Sequence, residues 1–190
     1  MKKRIRVHIG EFHASKEPVV IETLLGSCVA VCLYDPLSRI GGLNHILLPG
    51  RADLRHFDTA SRYGINAMEL LINSVMKLGG IRPNLVAKVF GGANVMPTVF
   101  REDGMGSKNA EFVLEFLHTE TITVVNQDLG GHDTRRIYFH TDTGDVFLKR
   151  ISSSYHSRIS LEERELLNAA RKNAREAGEI TLFDTGEGSR

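Results

Sequence analysis

The chain has 190 residues, enough for one domain with its own core, and 42% of them are hydrophobic against 25% charged. Its 24 basic and 23 acidic residues leave a formal charge of +1, so composition marks no nucleic-acid or membrane surface. The start, MKKRIRVHIGEFHASKEP, is basic without the apolar run of a signal peptide, and no segment approaches the roughly 18 apolar residues of a membrane span. These features predict a cytoplasmic protein without membrane insertion.

Residues 4–9 (RIRVHI) alternate apolar and charged side chains, the period of a half-buried strand. Residues 18–24 and 28–34 are rich in β-branched and apolar types and predict two more strands. Asp35-Pro36-Leu37-Ser38-Arg39 supplies turn chemistry before IGGLNHILLP, so 28–48 reads as a hairpin stopped by Pro49-Gly50. Asp58 is a candidate N-cap for a helix carrying Gly64, Ala67, Leu71, Val75 and Leu78 near helical spacing and ending at Gly79-Gly80. A strand over 85–90 runs into Gly91-Gly92, and a helix over 107–118 carries Phe112, Val113, Phe116 and Leu117 on one face. Thr121–Val125 reads as a strand, and 135–140 pairs with 145–150 across Asp142-Thr143-Gly144. Ser160-Leu161-Glu162-Glu163 is a capping box opening a last helix that ends near Gly178. Residues 1–180 form a single expected domain and 181–190 a flexible tail. Hairpin-joined strands with few helices predict an α+β fold of layered sheets with helices on one side.

The chemistry-bearing stretch is Leu25-Gly26-Ser27-Cys28-Val29, followed by His45. Two small residues before a cysteine at a strand start leave backbone N–H groups that can face a developing oxyanion, and an imidazole can take the thiol proton. A turn at 36–39 pairs Asp35 with Ile40, which sets Cys28 opposite Leu47. His45 then lies diagonally on the same face, about 7–8 Å away. A bulge at Gly41-Gly42 would put the two on opposite faces. Cys32, flanked by Val31 and Leu33, reads as core packing. Four strand steps set the two thiols roughly 13 Å apart, too far for a disulfide. The same separation argues against one zinc ion shared by Cys28, Cys32 and His45, so no metal is expected. In FGGAN, the glycine pair Gly91 and Gly92 with Asn94 reads either as cleft lining or as a tight turn after a strand. Gly26, Ser27 and Asn44 complete the candidate oxyanion and cleft residues.

At TLLGSCVAVCLYDP (23–36), GGLNHILLP (41–49), KVFGGANV (88–95), GMGSKNAEFVLEFL (104–117) and DLGGHDTRRIYFHTDTGDVFLKR (128–150) the sequence resembles the CheD family of chemoreceptor glutamine deamidases. The resemblance implies a three-layer α/β/β sandwich. It implies a nucleophilic Cys28 with His45 as base and Thr23 as third member, although Glu22 stands where some members place that residue. It implies hydrolysis of glutamine amides on the cytoplasmic helices of methyl-accepting chemotaxis receptors, with no cofactor. A CheC-type phosphatase, which regulates the deamidase in some bacteria, is a candidate partner. GMGSKNAEF departs from the family's commoner G-x-x-N arrangement through Ser107-Lys108 and is a candidate contact surface. The alternative is a non-catalytic adaptor that binds receptors or such a phosphatase.

Overall fold

The computed structural model describes residues 2–48, 52, 54, 58–94, 104–151, 165, 168 and 169. Among these, nine strands form two sheets: β1 (Lys3–Arg6), β2 (Phe12–Ser15), β3 (Val19–Leu25), β4 (Val29–Asp35), β5 (Ile40–Ile46), β6 (Val86–Gly91), β7 (Thr123–Leu129), β8 (Thr134–His140) and β9 (Val146–Ile151). One sheet has the order β1-β3-β8-β9 and the other β2-β5-β4-β6-β7. Most neighbours are antiparallel, while β1 with β3 and β6 with β7 run parallel. Helices α1 (Thr59–Lys77) and α2 (Met105–Thr119) complete the described elements, with one 3-10 turn at Arg82–Asn84. The last helix expected after Ser160 falls outside the described residues, except that Glu165, Asn168 and Ala169 are helical.

Two apolar clusters define three layers. Val29, Val31, Leu33, Ile46 and Leu48 join Met68, Leu71, Ile72, Phe112, Val113 and Phe116, so one face of the five-stranded sheet packs on both helices. Cys28, Ala30, Cys32, Leu43 and Leu47 join Ile21, Leu25, Ile137 and Phe139, so the opposite face packs on the four-stranded sheet. Strands β4 and β5 are thus covered on both sides. That is why CVAVCLY is almost continuously apolar instead of alternating. The α/β/β sandwich follows.

The β4–β5 ladder keeps the predicted register, from Asp35 opposite Ile40 to Ala30 opposite His45 and Val29 opposite Ile46. Gly41 and Gly42 sit in the ladder without a bulge, opposite Tyr34 and Leu33. They are needed for thickness: a Cβ on Gly41 would come 2.7 Å from the Phe139 ring, and one on Gly42 would come 2.8 Å from Leu71. Strand β2 has no counterpart in the sequence reading, being four residues long and without alternation.

Asp58 caps α1 as expected, accepting from the Ser61 N–H at 2.7 Å. Halfway along, Gly64 meets Phe112 of α2 so closely that a Cβ would lie 2.4 Å from the ring and 2.8 Å from Leu48. Two effects compete in Gly64→Ala. Helix propensity favours alanine by about 1 kcal/mol, whereas overpacking a filled core costs about 1–3 kcal/mol. Because the neighbour is a buried ring, packing wins: urea unfolding of Gly64→Ala should give lower stability than wild type. A gain would mean that α1 and α2 separate freely.

Candidate active site

His45 is held by backbone and by ring. Its N–H donates to the Glu11 carbonyl at 3.0 Å and its carbonyl accepts from the Gly10 N–H at 2.8 Å, so the segment between β1 and β2 pairs with β5 at the histidine. As an odd-numbered β5 residue it shares the inter-sheet face with Leu43 and Leu47. There Nδ1 lies 2.8 Å from Thr23 Oγ1 of β3, across the gap between the sheets. The same hydroxyl donates to the Val7 carbonyl at 2.7 Å. A threonine hydroxyl carries one hydrogen and a carbonyl can only accept, so that hydrogen belongs to Val7. Thr23 therefore accepts from His45, Nδ1 bears the ring proton, and Nε2 is the bare nitrogen.

The ring is 3% exposed, and Nε2 has no hydrogen-bond partner among the described residues. Burial pulls the His45 pKa down to about 3; the Val7 carbonyl opposes the shift and nearby His8 adds to it. The resting histidine is neutral. In that state the ring can accept a proton at Nε2. Of the two residues weighed for the third position, Thr23 touches the imidazole, while Glu22 pairs with Arg6 at 3.0 Å.

One step past the paired end of the β4–β5 ladder, Cys28 lies on the same inter-sheet face as His45. Its backbone is gripped from both sides. The Cys28 carbonyl accepts from the Gly92 N–H at 2.7 Å and the Gly26 carbonyl accepts from the Ala93 N–H at 2.8 Å. A Cβ on Gly91, whose φ is +115°, would stand 2.1 Å from the Cys28 oxygen. The backbone that Gly91 and Gly92 admit is therefore the chain's own. On the other side, Asn109 of α2 donates to the Ser27 carbonyl at 2.8 Å. The segment GMGSKNAEF is thus the start of a packed helix with Asn109 fully buried, so at this asparagine it is not an outer contact surface.

Cys28 is 0% exposed and Cys32 1%, so burial does not separate the two thiols, and Cys28 is packed as the sequence reading expected only of Cys32. The second sheet is the reason: Ile21, Leu25, Ile137 and Phe139 cover that face of β4. Burial pushes the Cys32 thiol pKa up. A cavity of about 50 Å³ is lined by His45 together with Gly10, Phe12, Asn44, Tyr63 and Leu70. Tyr63, missed in the sequence, lies within electrostatic reach of Cys28, and burial together with that thiol raises its pKa. A Cβ on Gly10 would meet its hydroxyl at 3.2 Å.

Two expected cleft residues are placed differently: Asn44 lines the same cavity as His45, whereas Asn94 sits beside Gly131. Asn44 neighbours His45 in sequence, so strand alternation turns it to the helix side, where Nδ2 donates to the Ala67 carbonyl at 3.2 Å and Oδ1 accepts from Val31. Asn94 donates its N–H to the Gly131 carbonyl at 2.8 Å and packs its side chain where a Cβ on Gly104 would stand. Among the described residues, no three His, Cys, Asp or Glu side chains gather as metal ligands, and no helix is long and apolar enough to cross a membrane.

The fold and site define a three-layer α/β/β domain with a threonine-oriented, neutral histidine beside a strand-start cysteine. Residues 47–150 match the family model described as CheD chemotactic sensory transduction. The chain is 44% identical to the Shewanella oneidensis protein named "Probable chemoreceptor glutamine deamidase CheD 1", over 96% of this chain and 88% of that one. It is 45% identical to a CheD 2 protein of Chromobacterium violaceum over 79% and 75%, and 43% identical to the CheD of Thiobacillus denitrificans over 92% and 86%. The chain belongs to the CheD family of chemotaxis proteins.

A buried neutral histidine has a consequence for acid stability. The His45 pKa is about 3 in the folded protein against 6.5 for the free side chain. Between those values only the unfolded chain takes up this proton, so stability that is whole above pH 6.5 is lost as pH falls toward 3. Melting curves at stepped pH should fall more steeply below the upper value for wild type than for His45→Gln. Parallel declines would contradict a buried neutral ring.

Proposed function

We propose that this protein hydrolyses glutamine side-chain amides on chemotaxis receptors to glutamate and ammonia, with Cys28 as nucleophile, His45 as general base and Thr23 as the residue that orients the base. The carrying observation is the hydrogen-bond chain from Val7 through Thr23 to His45, which leaves Nε2 bare on the face that Cys28 shares. The names of the relatives support the choice of glutamine on a receptor as substrate.

The steps balance without a cofactor. The thiol proton passes to Nε2 as Sγ bonds to the glutamine Cδ, and the carbonyl becomes an oxyanion facing N–H groups around Ser27 and Cys28. His45 then gives its proton to the amide nitrogen, the C–N bond breaks, and ammonia leaves a thioester. Water loses a proton to His45 and attacks the thioester carbon. The C–S bond breaks, and the returning proton restores the thiol. A thiol without solvent exposure must be uncovered before a glutamine reaches it. Tyr63, 36% exposed and electrostatically coupled to Cys28, stands where such access would begin.

Receptor cytoplasmic fragments incubated with the protein should release ammonia, and mass mapping of their peptides should find glutamine converted to glutamate. Cys28→Ala should abolish both signals, while Cys32→Ala should cost stability and keep turnover. Equal rates with wild type and Cys28→Ala would remove the nucleophile and favour a non-catalytic adaptor. Thr23→Val, isosteric but unable to accept from Nδ1, should lower kcat on the order of 10²-fold with receptor binding unchanged. Unaltered turnover would move the orienting role elsewhere.

A further inference from the structure

We propose that Asn109 is a positioning residue for this reaction: by holding the Ser27 carbonyl it orients the Ser27–Cys28 peptide so that the Cys28 N–H faces the oxygen of the substrate carbonyl. The inference rests on the cysteine-nucleophile reading above. Asn109 is fully buried in the first turns of α2. Its two amide atoms do separate jobs: Nδ2 donates to the Ser27 carbonyl at 2.8 Å, and Oδ1 accepts from the Leu48 N–H at 3.0 Å. One side chain thereby ties the residue before the cysteine to the chain just past His45.

The geometry of a trans peptide supplies the rest. No peptide bond among the described residues is cis, so the Cys28 N–H points opposite to the Ser27 C=O. Helix α2 packs on one face of the five-stranded sheet, and the Cys28 side chain lies on the other. A carbonyl drawn toward α2 therefore sends the N–H away from the helices, toward the side of the thiol and of His45. The next peptide is fixed independently, since the Cys28 carbonyl is bound by Gly92 and crowded by Gly91. Among the described residues, backbone groups hold the peptide after Cys28 and the Asn109 side chain holds the one before it. A flipped Ser27–Cys28 peptide would present a carbonyl oxygen where the reaction needs a donor.

Asn109→Asp separates the two jobs, because an ionised carboxylate still accepts from Leu48 but repels the Ser27 oxygen. Asn109→Ser is the companion variant that shortens the side chain and adds no charge. Receptor-fragment deamidation above neutral pH gives kcat and KM, and iodoacetamide alkylation of Cys28 reports thiol reactivity through a step that forms no oxyanion. Both variants should lose about tenfold or more in kcat, as expected for a displaced oxyanion donor, with KM and the alkylation rate within about twofold of wild type. Unchanged kcat would overturn the proposal. So would kcat and alkylation falling together, or both variants failing to fold, since each would give Asn109 a purely structural role. Cys28→Ala runs in parallel: if it stays active the nucleophile reading fails, whereas active Asn109 variants beside a dead Cys28→Ala sink this inference alone.

Discussion

A single hydroxyl hydrogen sets the state of the buried histidine in this domain. Thr23 gives it to Val7, so its oxygen is left to accept, and His45 must donate from Nδ1. The tautomer of the ring follows, and with it which nitrogen is basic. Because the three residues come from the end of β1, from β3 and from β5, the arrangement exists only when both sheets are closed on each other. The inter-sheet core is therefore also the scaffold of the site. The same closure desolvates the ring and holds it neutral.

The cysteine is handled differently. Its side chain is packed by the four-stranded sheet, but its backbone is set from the five-stranded sheet and α2, through Gly91, Gly92 and Asn109. Cys28, fixed by backbone clamps, and His45, fixed by a side-chain relay, lie on one face of one hairpin. Both are sealed from solvent, a state that suits waiting and not turnover.

Much of this was legible in the chain. The turn at Asp35–Arg39 fixed the β4–β5 register to the residue, and with it the shared face of Cys28 and His45. The continuous apolar run at 28–34 held the signal that β4 is buried twice. Read as such, it would have foretold the sealed thiol. Strand alternation likewise excluded Asn44 from the face of His45, an inference the adjacent positions already permitted. Other features were not readable. Strand β2 is too short for periodicity, and Gly10 and Glu11 gain meaning only by pairing with His45. Asn109 looks like one polar position on an amphipathic helix until α2 docks over residue 27. The glycine pair was recognised as a place of close approach, but which backbone approaches is a tertiary fact.

Nitrogen-detected NMR of histidine-labelled protein tests the central claim most directly, with Thr23→Val to assign the coupled ring. The account predicts that His45 stays neutral well below the ordinary histidine pKa, with Nδ1 in the protonated shift range and Nε2 in the unprotonated range, and that Thr23→Val disturbs this pattern. A His45 ring that carries its proton on Nε2, or that titrates near the ordinary value, would contradict it.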